Sequence, residues 1–434
     1  MRTIIMSGVI AGLLTVAPTG AGAATGFAGV WRPGTGAQWW QQDMSLATFK
    51  AQDKAYFDKG LRLQSLSIRD GRYTAEWRPG TGTQWWQSDK SLAEIKAQDD
   101  IYFKQGLRIT AMEVDNGRYA AVWRPGTGAQ WWQADMSLAT FKAKDKAHFD
   151  NGLRLTVLEV DNGRYTAVWR PGTGAQWWAS DKTGPQIEAL DKDYFDKGLR
   201  LTALAVDGGR YAAVWRPGSG AQWWRRHTCL VDFKSQDSKF FGDGLRLSFI
   251  ELEDSGASPY RYPWKSGVAL KVGQGNNNAG GSHTGSQAFA FDFMMPSGTT
   301  IRAAAAGTVE WLQEGQTTTY NPNAPTTASN TPFPAGSLQN WGNAVRIRHF
   351  GGMTSWYFHI QPNGVIVNVG DTVERGQPIA TSDNTGRTTG PHLHFQIQAD
   401  STNWGQSVAA SFGDCQVPKT NDTVTSNNSN SSFP

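Results

Sequence analysis

Cysteine is almost missing from this sequence: there are two in 434 residues, Cys229 and Cys415. A pair so widely spaced cannot staple a small disulfide scaffold, and it leaves either one long-range disulfide or two separate thiols. The disulfide would tie the end of the first half of the chain to the end of the second. Basic tracts are lacking too. A formal net charge of +4 over this length excludes the electrostatic footprint of a nucleic-acid-binding protein. Long apolar runs are absent apart from Ile4 to Val16, which follows Met1-Arg2-Thr3 and precedes Ala21-Gly22-Ala23. That run is too short to cross a bilayer, and its flanks predict a cleavable signal peptide over residues 1–23, hence a protein secreted to the extracellular space or the periplasm. No membrane span is expected, and the exported protein is expected to be a monomer.

What is abundant is tryptophan, with 20 residues. Trp31, Trp77, Trp123, Trp169 and Trp215 recur every 46 positions, and each opens a Trp-Arg-Pro-Gly-(Thr/Ser)-Gly-x-Gln-Trp-Trp segment. A fixed period of this length means tandem structural units, here five over residues 24–252. Within a unit, Ser45 can cap a helix running through Phe57, and Gly60 can end it. Alternation from Leu61 to Leu66 predicts a strand, and Asp115-Asn116-Gly117 and its counterparts predict hairpin turns into a second strand. The array is therefore an α+β repeat of one helix and one hairpin per unit, joined by a tryptophan-bearing loop. It could close as a ring or stack as an open array. Asp53, Asp99, Asp145, Asp191 and Asp237 interrupt the apolar helix face once per unit. They are expected to accept hydrogen bonds from tryptophan indoles or loop backbone. The paired tryptophans would pack the units, grip an extended peptide, or stack on sugars.

After a short linker at 253–258 the composition shifts to Gly, Asn, Thr and Ser, and short strands separated by turns predict an all-β domain over 259–416. Residues 317–340 form a long insertion suited to walling a groove, and the polar stretch 417–434 is expected to be a disordered tail. Five of the seven histidines lie between positions 283 and 394. In Gly390-Pro391-His392-Leu393-His394-Phe395, side chains two apart share one face of a strand, so His392 and His394 look out together. Asp292 is the sole acid between Asp254 and Glu310. Val369 to Ala380 has the turns of a lipoyl-type carrier domain, but no lysine occurs between Lys271 and Lys419 to carry a group.

With His283 and Asp292-Phe293, Gly342-Asn343, Tyr357-x-His359 and Thr389-Gly390-Pro391-His392-Leu393-His394-Phe395, residues 259–400 resemble the lysostaphin/LytM/β-lytic zinc metalloendopeptidases that cut peptidoglycan. The resemblance implies an antiparallel, sandwich-like β fold. It implies one Zn2+ held by His283, Asp292 and His394, with His359 and His392 catalytic and Asn343 and Tyr357 as substrate-binding candidates. His349 is expected to be structural. The first half is similar to Trp-rich repeats that accompany secreted bacterial hydrolases and to the N-terminal region of polyglycine hydrolases. Together these imply an endopeptidase acting on peptidoglycan cross-bridges or stem peptides, with a repeat array that binds wall glycan or substrate or positions the domain. Two alternatives stay open: an endopeptidase acting on Gly-rich proteins, and a non-catalytic wall-binding regulator.

Overall fold

The computed structural model describes residues 25–278, 280–403 and 405–429. The signal peptide expected at 1–23 lies outside them. Each repeat carries the expected 13-residue helix, Leu46–Asp58 in the first, where the Ser45 side chain accepts from the Thr48 N–H. Gly60, with φ 78°, takes the left-handed conformation that ends it. The hairpin Leu61–Arg69/Arg72–Pro79 follows as expected. The segment read as a tryptophan-bearing loop is itself a third strand, Trp39–Met44, pairing with Arg72–Pro79. Each unit is thus a three-stranded antiparallel sheet with a helix.

The ring is closed. The fifth sheet takes its central strand from the other end of the chain: Gly26–Pro33 lies between Trp223–Cys229 and Leu245–Glu253. The five strands equivalent to Leu61–Arg69 touch one another in cyclic order around the axis. Every unit is locked by its aspartate. Asp53 accepts from the indoles of Trp77 and Trp86, each at 2.8 Å, and from the Gln84 amide at 3.1 Å. In the fifth unit the donors to Asp237 come from the first repeat: Trp31 at 2.7 Å, Gln38 at 2.9 Å and Trp40 at 2.8 Å. Hydrogen bonds to a buried charge are worth about 1.5–3 kcal/mol each, so this carboxylate fastens the ring shut.

Two features work against closure. Glu113, Glu159 and Glu251 meet from three of the axial strands, with carboxylate oxygens within 4.8 Å. Burial and the neighbouring acids push all three up, Glu251 to about 8. Glu76 is fully buried where the other units have Val30, Val122, Val168 and Val214. Neither of its oxygens has a hydrogen-bond donor, and the nearest cation, Arg78 Nε, stands 3.9 Å away.

The second half is an antiparallel β domain, as the sequence predicts. Its main sheet runs, in spatial order, Thr372–Val373, Gly307–Gln313, Asn343–Arg348, Thr354–Val365, Leu393–Gln398, Phe291–Phe293, Ala269–Gln274 and Thr423–Thr425. One face packs Val272, Phe293, Ile347, Tyr357, Phe395 and Phe412 into a core. The tail expected to be disordered is instead folded through Ser429. Thr423–Thr425 pairs with Ala269–Gln274, and the buried Asn428 amide donates to the Tyr262 and Ala303 carbonyls. Its polar residues satisfy buried backbone groups, which composition alone cannot reveal. The connection at 253–258 is packed rather than loose, since Ser258 is buried and donates to the Ser411 carbonyl. Cys229 and Cys415 form the disulfide, with Cα atoms 5.4 Å apart. Beside it, Asp232 of the fifth helix accepts from the Ser411 N–H at 3.0 Å. Ring and β domain are thereby held in one orientation.

Burial pushes the Glu76 carboxyl up to about 8, well above a typical unfolded value of about 4.3. A group raised on folding stabilises fully below its unfolded pKa and loses that contribution as pH rises through the folded one. Glu76→Val should therefore raise stability by about 1–3 kcal/mol near neutrality. The gain over the parent should shrink towards pH 4, as read from urea melts at pH 4, 6 and 8.

Candidate metal centre

Three strands of the β domain bring the site together. Phe291–Phe293 pairs with Leu393–Gln398 in a register that sets Asp292 opposite His394. Asp292 Oδ1 lies 2.9 Å from His394 Nδ1, 3.1 Å from His283 Nε2 and 3.6 Å from His392 Nε2. His283, Asp292 and His394 are all buried, and one ligand atom from each falls within 4.8 Å of the others. Among the described residues, the only other such group is the glutamate trio of the ring.

The remaining ring nitrogens fix the tautomers. His283 Nδ1 faces the Gly275 carbonyl at 3.0 Å and His394 Nε2 faces Gln396 Oε1 at 3.1 Å. If each donates there, the opposite nitrogen keeps a lone pair directed at the common centre. Gln274, opposite Asp292 in the neighbouring strand, donates to Asp292 Oδ2 at 2.7 Å. Two neutral imidazoles and a carboxylate fit one divalent ion of the zinc type and leave a coordination position open. Burial alone would raise the Asp292 carboxyl, but the charges and hydrogen bonds of His392, His283 and His394 outweigh it and hold it well below the carboxylate range.

His359 joins the site through a break in its strand. Strict alternation would place it on the core side with Tyr357. At His359 the backbone turns left-handed, with φ 61°, and the register with Asn343–Arg348 shifts. This bulge brings its ring to 4.6 Å from that of His392. A non-glycine residue in this region costs about 1–3 kcal/mol, a strain found where function requires it. His359 Nδ1 faces the Thr385 carbonyl at 2.6 Å, and His392 Nδ1 faces that of Gly390 at 2.8 Å, so both rings can turn Nε2 inward. Burial, then the charges of His392 and His394, hold the His359 imidazole well below its usual value.

Four of these groups, Asp292, His359, His392 and His394, line an open groove of about 1030 Å³. Pro322, Gly336, Asn340 and Trp341 wall it, so the long insertion does border the groove. Two expected substrate contacts lie elsewhere. Asn343 is fully buried and its amide donates to the Gln316 and Ile360 carbonyls. Tyr357 points into the core, where its hydroxyl accepts from the Ala304 N–H at 2.8 Å. Both are motif neighbours of site residues that alternation or backbone pairing turns inward. His349 is structural as expected, bridging the Ala306 carbonyl and Ser355 Oγ, and burial lowers it to about 4. Gln274, nine residues before His283, carries no motif that would mark it in the sequence.

Parts of the chain match known proteins. Residues 286–406 match the model of Peptidase family M23, beginning just after His283, and residues 129–171 match that of a polyglycine hydrolase-like structural repeat. The peptidoglycan DD-endopeptidase ShyC of Vibrio cholerae is 36% identical over 106 residues, 24% of this chain and 19% of that protein. The DD-carboxypeptidase/endopeptidase Mpg of Neisseria meningitidis is 29% identical over 116 residues, 27% of this chain and 20% of that one. The chain thus spans about a fifth of the length of these curated relatives. Lysostaphin from Staphylococcus simulans superposes with a TM-score of 0.24 at 26% identity, covering 32% of this chain and 47% of that one.

Replacing Gln396 by Leu should free the His394 ring and weaken metal retention about 10–100-fold. His394→Ala should abolish it, with both read by competition against a fluorescent chelator. Residues 286–406 thus carry a peptidase family M23 domain, and residues 129–171 a polyglycine hydrolase-like structural repeat.

Proposed function

We propose that this protein is a secreted zinc endopeptidase that hydrolyses peptide bonds of bacterial peptidoglycan, in a cross-bridge or stem peptide. The carrying observation is the convergence of His283, Asp292 and His394 on one centre, with His359 and His392 beside it in an open groove. Bound zinc would polarise the scissile carbonyl and lower the pKa of water. The chain's own residues supply the rest. His359, held neutral by burial, can accept a proton at Nε2 while Thr385 fixes its ring. His392 Nε2 lies on the same side, placed to stabilise charge developing on the substrate oxygen or to return a proton to the leaving amine. Pro322, Gly336, Asn340 and Trp341 border the groove and would contact a bound peptide. The ring, fixed to the domain by the disulfide and Asp232, would hold wall or substrate near the groove.

Purified mature protein incubated with several peptidoglycans should release new peptide termini, identified by mass spectrometry. Release should vanish with a chelator and fall by at least about 100-fold in His392→Ala, the usual range for a general acid–base group. Cleavage of Gly-rich proteins with none of any peptidoglycan would move the substrate assignment. Undiminished cleavage by His392→Ala would remove that residue from the mechanism.

A further inference from the structure

The five repeats present the same aromatic platform, yet one of them is occupied. The first tryptophan of each pair is 41% exposed at Trp39, 50% at Trp85, 49% at Trp131 and 41% at Trp177. Each is backed by a helix ring: Tyr56, Tyr102, His148 and Tyr194 respectively. Trp223, the fifth, stacks on Phe240 and is partly covered by a turn of the β domain, Phe350-Gly351-Gly352. Phe350 meets Trp223 edge-on at 5.1 Å. Arg225 lies over the Phe350 ring at 3.9 Å and donates to its carbonyl at 2.8 Å, while Gln236 donates to the Gly351 carbonyl.

The glycines are required there. Both have positive φ, 74° and 73°. A Cβ on Gly351 would fall 2.8 Å from Gln236 Oε1, and one on Gly352 would fall 2.7 Å from the Lys239 side chain. The fifth unit therefore reads an aromatic side chain, two main-chain carbonyls and the absence of side chains after it. At the places of Arg225 and Gln236, the first unit has Gln41 and Gln52 and the second has Gln87 and Gln98. These amides can donate to the same carbonyls. The third unit has Gln133 with Lys144, and the fourth has Ala179 with Leu190, which cannot donate at all.

We propose that the Trp39 and Trp85 platforms bind peptide segments in which an aromatic residue is followed by glycines. The contact seen within the chain at Trp223 is the template for both, and the Trp177 platform lacks the donors. This goes beyond the function proposed above, since peptidoglycan peptides carry no aromatic residue, and needs no activity at the metal centre. Recognition of main-chain carbonyls and of missing side chains favours peptide over glycan as the occupant.

The test is fluorine NMR of the full chain labelled with 5-fluorotryptophan and carrying His392→Ala, so that the probes stay intact. The probes are acetyl-Phe-Gly-Gly-Met-amide, its Ala-Ala counterpart and a tetramer of N-acetylglucosamine. Two resonances, assigned by their loss in Trp39→Phe and Trp85→Phe, should shift saturably with the Gly-Gly peptide. The Ala-Ala peptide should bind at least about tenfold more weakly, a difference of ~1.4 kcal/mol. Phe350→Ala should shift the Trp223 resonance in the peptide-free protein, because the ring that meets it edge-on is removed. The proposal is overturned if the sugar moves these resonances and the peptide does not, if both peptides bind equally, or if nothing moves. A null result here alongside intact peptidoglycan cleavage by the parent enzyme would sink the peptide platform alone. Binding without cleavage would sink the catalytic reading alone.

Discussion

A carboxylate taken out of water must be met by donors, and both halves of this protein are arranged around that requirement. In the ring, four of the helix aspartates gather two indoles and one glutamine amide, Asp191 gathers one indole and one amide, and each so joins its own unit to the next. At Asp237 the same set is drawn from the start of the chain, so three donors and one inserted strand help join the two ends of the ring. In the β domain, Asp292 plays the corresponding part with His283, His394 and Gln274 around it. There the partners are groups whose lone pairs can be shared with a metal, so the same constraint yields a reactive centre.

Where the requirement is not met, the structure shows its cost. Glu76 occupies a position that is valine in every other unit, at the seam where the ring closes, with both oxygens unsatisfied. Among the axial glutamates, burial and mutual proximity push the carboxyls towards the neutral form. Glu76 thus leaves the seam with a buried acid that no donor meets. The seam is also where the fifth unit, altered at Arg225, Asp232, Gln236 and Lys239, meets the β domain. The disulfide and the buried Ser411–Asp232 contact fasten that unit to the β domain.

Much of this was legible in the residues. The 46-residue period marked the units, and the lone aspartate on each apolar helix face announced its indole partners. Alternation through Leu393–Gln398 placed His392 and His394 on one side, where they are found. Ring closure was not legible, because it depends on pairing residues 26–33 with strands some two hundred positions away. His359 reaches the site only through a left-handed bulge, which periodicity would have turned inward. Asn343 and Tyr357 stand in the right motifs but serve the backbone and the core. The end of the chain looked unstructured because its Asn and Ser residues bond to buried carbonyls rather than to one another.

The account rests on which atoms bind the metal. Anomalous diffraction at the zinc edge, from crystals of the full chain grown with one equivalent of Zn2+, measures that directly. A single peak bounded by His283 Nε2, a carboxylate oxygen of Asp292 and His394 Nδ1, with His359 and His392 beside it but not bound, is the predicted result. A peak held instead by His359 or His392, or by Glu113, Glu159 and Glu251 on the ring axis, would contradict it.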